Sequence, residues 1–271
     1  MTNRKAKKGN NPLNDKGIVS VLARSNTSGL VKVSEADKAL KGSSLNVAIT
    51  LSRLEKKGWV KRVKKGIYFI LPLEATKREG GVASDPWVVA SVLYKPCYIG
   101  GWSAAEHWEL TEQLFHSTFI VTSANVRAKE QNILGNDYRL IRVSKEKIKG
   151  LSSVWRGNIQ INISDRERTL IDGLANPSWV GGFRHLADML NVYLSSEFRS
   201  DAKLLDCAHE VGKGAVYKRL GFLMERFDPK AKKISIALKS RITSGVIKLD
   251  PAVASKVKLN STWGVWENIS I

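Results

Sequence analysis

The sequence predicts an α+β protein: a small helical N-terminal domain that ends in a basic hairpin, followed by a larger mixed α/β domain. Three observations carry this reading. Residues 45–70 give an amphipathic helix, a glycine stop and a short hairpin in direct succession. The positive charge is crowded into the first quarter of the chain. Beyond residue 86, β-branched and aromatic runs alternate with helical periodicities.

At 271 residues the chain is long enough for one small and one larger core, and its 43% hydrophobic content is ordinary for a globular protein. The net charge is +19, distributed unevenly. Residues 1–70 hold 16 Lys and Arg against 4 Asp and Glu, residues 71–200 hold 15 against 14, and residues 201–271 hold 13 against 7. A local excess of this kind is the electrostatic footprint of a phosphate-backbone binder. No apolar stretch approaches the roughly 20 residues that span a bilayer, and no apolar core follows the basic N-terminus as in a secretory signal. The expected location is therefore cytoplasmic, with no membrane partner. Cys97 and Cys207 lie far apart, without the paired spacing of a zinc ribbon or a disulfide framework.

Residues 1–12 form a polar basic arm that cannot pack; it either touches phosphate or is a solvated tail. From Leu13 a helix of about three turns places Ile18, Val19, Leu22 and Ala23 on one side, before the turn at 25–29. Leu30 to Val33 is extended, and Ser34 is the expected cap of a second helix, Glu35 to Lys41. Gly42 ends that helix, and Ser43 or Ser44 is expected to cap the third.

The third helix has Leu45, Ala48, Leu51 and Leu54 at spacings of three, with Val47 joining Leu51 and Leu54, as its expected buried stripe. Ser44, Asn46, Thr50 and Arg53 are left for the opposite face. Short polar side chains and one Arg suit base edges, whereas a merely solvated face is more often Glu and Lys. Gly58 stops the helix, and Lys61, Arg62, Lys64 and Lys65 lie on the outgoing arm and tip of the hairpin that Ile67 to Ile70 closes. Helix, short strand, helix, turn, helix and hairpin is the order of a winged helix-turn-helix over residues 13–72. Asn46, Thr50 and Arg53 are then expected at base edges, Ser43 and Ser44 at phosphate, and the four hairpin cations on the backbone or in the minor groove of double-stranded DNA.

Residues 73–86 read as a linker, and residues 87–271 as the larger domain. Asp85 caps a helix with Pro86 in its first turn, running to about Leu93. The segment Cys97-Tyr98-Ile99-Gly100-Gly101 reads as a break, and Trp102 to Leu110 as a helix. Strands are expected at 116–122, 138–143 and 158–163. Ser164-Asp165-Arg166-Glu167 has capping-box spacing before a helix through Leu174. Further helices are expected at 183–194, 202–211 and 214–227, with extended segments at 245–249 and 262–269.

Recognisable chemistry is sparse. Neither a Gly-x-Gly-x-x-Gly nor a phosphate-loop lysine motif occurs, and no Gly-x-Ser-x-Gly elbow exists. Ser103 reads as a helix-start residue. His107, His116, His185 and His209 lack metal-ligand spacing, so no metal and no cofactor is expected. The densest polar cluster runs from Asp165 to Asp172. It reads either as a capped helix start with an Arg168–Asp172 pair four residues apart, or as one wall of an anion-binding cleft.

At this cluster the chain resembles the antitoxins of the AbiE abortive-infection (type IV) toxin-antitoxin systems. The resemblance runs through Lys64-Lys65-Gly66-Ile67-Tyr68, Ile99 to Leu110 (IGGWSAAEHWEL), Ser164 to Asp172 (SDRERTLID), Tyr217 to Glu225 (YKRLGFLME) and Trp263 to Asn268 (WGVWEN). Trp102 and its tryptophan-rich helix depart from the family pattern. The resemblance implies an N-terminal domain that represses its own operon by binding inverted repeats in the promoter. It also implies a C-terminal domain that counteracts a nucleotidyltransferase-like toxin without a stable complex, with Asp165, Arg168, Asp172, Arg219 and Glu225 as candidate antitoxicity residues. By symmetry, a protein that is monomeric in solution would place two copies on each inverted repeat. The competing readings are an enzyme acting on nucleic acid or nucleotide, motivated by the 165–172 cluster, and a ligand-sensing regulator with a tryptophan-lined pocket.

Overall fold

The computed structural model describes residues 13–26, 28–40, 46–71, 85–255 and 257–271. The basic arm, Ser43, Ser44 and residues 72–84 lie outside them. Helix α1 (Asp15–Ser25) is opened by Asn14, whose side chain accepts from the Gly17 amide at 2.8 Å, and it buries Ile18, Val19 and Leu22. Strand β1 (Leu30–Lys32) leads directly into α2 (Val33–Ala39). The second helix therefore starts before Ser34, which does not cap it; Glu35 instead reaches back to accept from the Lys32 amide at 3.1 Å. Helix α3 (Val47–Lys56) is capped by Asn46, whose side chain accepts from the Ile49 amide. It ends in a Schellman turn: the Trp59 amide donates to Leu54 and the Gly58 amide to Glu55, both at 2.9 Å, with Gly58 at φ 72°.

Strands β2 (Val60–Lys64) and β3 (Ile67–Ile70) join across a Lys65-Gly66 turn in which Gly66 takes φ 76°. With β1 they form an antiparallel sheet of order β1-β3-β2. Ile18, Leu22, Leu51 and Leu54 are fully buried at the centre of the core beneath it.

Helix α4 (Pro86–Leu93) begins at Asp85, whose carboxylate accepts from the Trp87 amide at 2.8 Å. The chain divides into two compact units, and the division falls at the end of α4: Val92 closes the first unit, which also takes residues 133–135 and 156–159. The remainder forms the second unit. Helix α4, placed with the larger domain on sequence, thus groups with the first.

The second unit is built on a six-stranded sheet of β4 (Cys97–Ile99), β5 (Ser117–Thr122), β6 (Glu130–Ile133), β7 (Asn136–Arg142), β8 (Ser152–Arg156) and β9 (Ile159–Ile163), of which only the strand-end residues Ile133, Arg156 and Ile159 group with the first unit, in the order β6-β7-β5-β4-β9-β8. Strand β4, which reads as a break in the sequence, lies inside the sheet, antiparallel to β5 and parallel to β9. Its three residues are all buried, so it offers no alternation to read. The pairing of β5 with β7 is parallel, which completes a mixed sheet.

Helices α5 (Gly101–His107), α6 (Arg166–Ala175), α7 (Phe183–Leu194), α8 (Asp201–Val211), α9 (Gly214–Phe227) and α10 (Lys232–Lys239) accompany the sheet. Every residue of α6 from Glu167 to Leu174 is buried, and α5, α7, α8 and α9 all pack against it. Its glycine is required: a Cβ at Gly173 would come within 2.8 Å of Leu186. A small sheet, β10 (Ile247–Lys248), β11 (Lys258–Asn260) and β12 (Val265–Glu267), sets Trp263 over α9, where a Cβ at Gly221 would collide with the indole. Neither β6, β8, β11 nor α10 was expected from periodicity.

Candidate functional site

The helix-and-hairpin surface of the first unit is the first candidate. Lys61, Arg62, Lys64 and Lys65 are all exposed, as are Asn46 and Arg53 of the α3 segment. Thr50 is not: it is 4% exposed and packs inward with Val47, Leu51 and Leu54. This corrects the expected base-reading face. Successive residues turn by about 100°, so positions spaced by three drift by about 60° at each step and cannot all stay on one stripe. The set 47, 50, 51 and 54 keeps the i, i+3, i+4, i+7 pattern and takes the core, which leaves Ala48 and Ile49 outside, the latter 66% exposed. The outward face of α3 is accordingly Ala48, Ile49, Arg53 and Lys56, with Asn46 occupied as the cap.

Arg53 is not a free cation. Its guanidinium meets the Asp15 carboxylate at 2.7 Å, and the Lys57 ammonium meets the other Asp15 oxygen at 2.5 Å. The Lys57 hydrogen bond, with the charge of Arg53 beside it, holds the Asp15 carboxyl below the usual carboxylate range. This triad ties α1 to α3 at the surface.

The second candidate lies in the second unit. Arg168 and Asp172 form the expected pair, Nε to Oδ1 at 3.0 Å, and both are buried. Tyr98 on β4 donates its hydroxyl to the other Asp172 oxygen at 2.8 Å. Burial pushes the Asp172 carboxyl up, against the pull of Arg168 and Tyr98, and the same burial raises the Tyr98 phenol. The Arg168 guanidinium also donates to the Lys147 carbonyl at 3.2 Å and the Lys149 carbonyl at 3.4 Å. It thereby fastens the segment after β7 to α6. Above this network is a cavity of about 320 Å³ that Lys147, Lys213, Arg142 and Trp179 help to line. Of these, sequence reading singled out none. Tyr98 sat in the missed strand, and Lys147 lies in a Lys-Glu-Lys-Ile-Lys run that resembles any solvated surface.

The other candidate residues separate from this cavity. Asp165 is the N-cap of α6, accepting from the Arg168 amide at 2.8 Å, and burial raises its carboxyl. The expected capping box is not formed: with Asp165 rather than Ser164 as the cap, Glu167 is one residue too early to reach back, and it accepts from the Tyr193 hydroxyl at 2.7 Å. Arg219 is 3% exposed and donates to three carbonyls, Leu174 at 2.6 Å and Leu249 and Lys248 at 2.9 Å. Burial lowers its guanidinium to about 10. Glu225 accepts from the indole N–H of Trp263. Arg219 is thus a buried internal tie, whereas Glu225 is exposed and holds Trp263 from the surface of α9. Trp102 donates to the Ser117 carbonyl at 2.6 Å and stacks on Phe115, outside the cavity. Ser103 accepts from the Phe119 amide at 2.9 Å, and burial raises both cysteine thiols to about 12, so neither is a ready nucleophile.

No protein-family model and no curated protein matches the chain. Its fold is similar to that in the crystal structure of the RV2827C protein from Mycobacterium tuberculosis, with a TM-score of 0.62 over 92% of this chain and 89% of that one, at 16% identity.

Proposed function

We propose that this protein is a DNA-binding autorepressor and antitoxin of the AbiE type. Its first unit, read as a winged helix, binds inverted repeats in its own promoter, and its second unit opposes a nucleotidyltransferase-like toxin. The observation that carries the reading is the hairpin: four cations, Lys61, Arg62, Lys64 and Lys65, stand exposed beside an α3 whose outward face presents Ala48, Ile49 and the cations Arg53 and Lys56. Phosphate contacts from the hairpin would set orientation. Arg53 would read a base edge and Ile49 a thymine methyl. The antitoxin half of the proposal is supported by the sequence resemblance.

The test of the DNA half is binding of the full-length chain to DNA from upstream of its own gene, against scrambled DNA, across a salt series. Tight, selective binding with a steep salt slope is expected. Equal binding to both DNAs that vanishes as salt rises would reduce the hairpin to a generic anchor. The antitoxin half is checked by co-expression with a nucleotidyltransferase encoded beside the gene. Growth should be restored by the full chain and by a hairpin variant that no longer binds DNA; failure to restore growth would refute this half.

A further inference from the structure

The cavity above α6 has a neutral floor and a positive rim. On the floor, the charge of Arg168 is taken up by Asp172 and by two backbone carbonyls, so the network is closed. At the rim, Arg142, Lys147 and Lys213 form no ion pair and no side-chain hydrogen bond among the described residues. Of the carboxylates nearby, Glu146 is exposed, its carboxyl lowered by its own amide and the Ser144 hydroxyl, and Glu210 lies 3.9 Å from Arg168. Both Lys147 and Lys213 are exposed at the cavity's edge, and partial burial with the charge of Lys147 lowers the Lys213 ammonium. An anion there would relieve that repulsion.

The remaining wall is largely apolar, Asn176 and Tyr98 apart, and includes the half-buried Trp179, packed on Phe119. Positive rim and aromatic wall together select a ligand with an anionic head and a planar body. At about 320 Å³ the cavity has room for a small one, at the low end of the roughly 300–1,000 Å³ of small-molecule sites. We propose that this cavity binds a nucleoside monophosphate, its phosphate held by Lys147, Lys213 and Arg142 and its base lying against Trp179. The site is independent of DNA binding and of the antitoxin reading.

The experiment is calorimetric titration of the full-length protein with AMP, GMP, CMP and UMP, with the four nucleosides, and with inorganic phosphate. At least one monophosphate should bind at least tenfold more tightly than its nucleoside and than phosphate alone. Lys147→Ala with Lys213→Ala should weaken it at least tenfold without lowering the melting temperature, since both side chains are exposed. Trp179→Leu should reduce the nucleotide to the affinity of phosphate. Lys64→Ala with Lys65→Ala on the hairpin, and Lys232→Ala with Lys233→Ala on α10, should leave nucleotide binding unchanged. The proposal is overturned if no monophosphate binds or phosphate binds equally well. It is also overturned if the hairpin or α10 pair weakens binding as much as the rim pair.

Discussion

An Arg–Asp contact of the first unit and one of the second are of nearly equal length, and the two have opposite meanings. Arg53 meets Asp15 at 2.7 Å with side chains 48% and 20% exposed; Arg168 meets Asp172 at 3.0 Å with both at 7%. In the first, water already solvates both charges, so the pair is worth little and Arg53 can leave it for another anion. In the second, both charges have been removed from water, and each is tolerable only because the other and its hydrogen bonds remain. The surroundings, not the distance, decide whether a pair is a tether or a structural tie.

The sharpest way to break this comparison is Arg168→Ala. It strands a buried carboxylate and releases the Lys147 and Lys149 carbonyls, and should cost about 3–5 kcal/mol of unfolding free energy in urea titration. Arg168→Met combined with Asp172→Leu should recover most of that. A loss below about 1 kcal/mol for Arg168→Ala would make the buried pair no different from a surface pair.

Arg53→Ala is the matching cut in the first unit. Stability should change by less than about 1 kcal/mol, while promoter binding should weaken by about 1–3 kcal/mol with relaxed preference at one base position, read by competition with single-base variants.

Asp15→Asn should act in the other direction. Freed from their carboxylate, Arg53 and Lys57 should bind promoter and scrambled DNA several-fold more tightly, an effect that fades with salt. The pH dependence follows from the lowered Asp15 carboxyl. Its stabilising contribution is complete above the unfolded value of 3.8 and is lost as pH falls through the lower folded value. Parent and Asp15→Asn should therefore differ in denaturation midpoint near neutrality and converge in acid.

The smallest effect belongs to Lys64→Ala, which makes no ion pair among the described residues. It should weaken promoter and scrambled DNA alike and lower the salt slope by about one.

Much of the fold was legible locally. The cap at Asp85, the glycine stop at Gly58, the Lys65-Gly66 turn and helices α6 to α9 follow from short-range chemistry that needs no tertiary partner, whereas the cap of α6 falls on Asp165, one residue beyond the Ser164 of the expected capping box. Short elements were not legible. Strand β4 is three buried residues, and β11 and β8 lack a strong alternation, so only their neighbours in the sheets make them strands. Of the candidate site, Arg168 and Asp172 were found because a pair four apart on one helix is visible in one dimension. Tyr98, Lys147, Trp179 and Lys213 come from four separate segments and meet only in three.

By itself, the sequence determined the α+β class, the concentration of charge before residue 70, the positions of most helices and the pairing of Arg168 with Asp172, because each depends on composition or on contacts within one or two turns. Tertiary structure decided the rest. It turned Thr50 inward and Ile49 outward, coupled Arg53 to Asp15, buried Arg219 among backbone carbonyls and set Glu225 against the Trp263 indole. It also placed Arg142, Lys147, Lys149 and Lys213, which form no ion pair among the described residues, around a single cavity. The physical reason is that periodicity states only which residues share a side of an element, while solvation and charge depend on what that side is packed against.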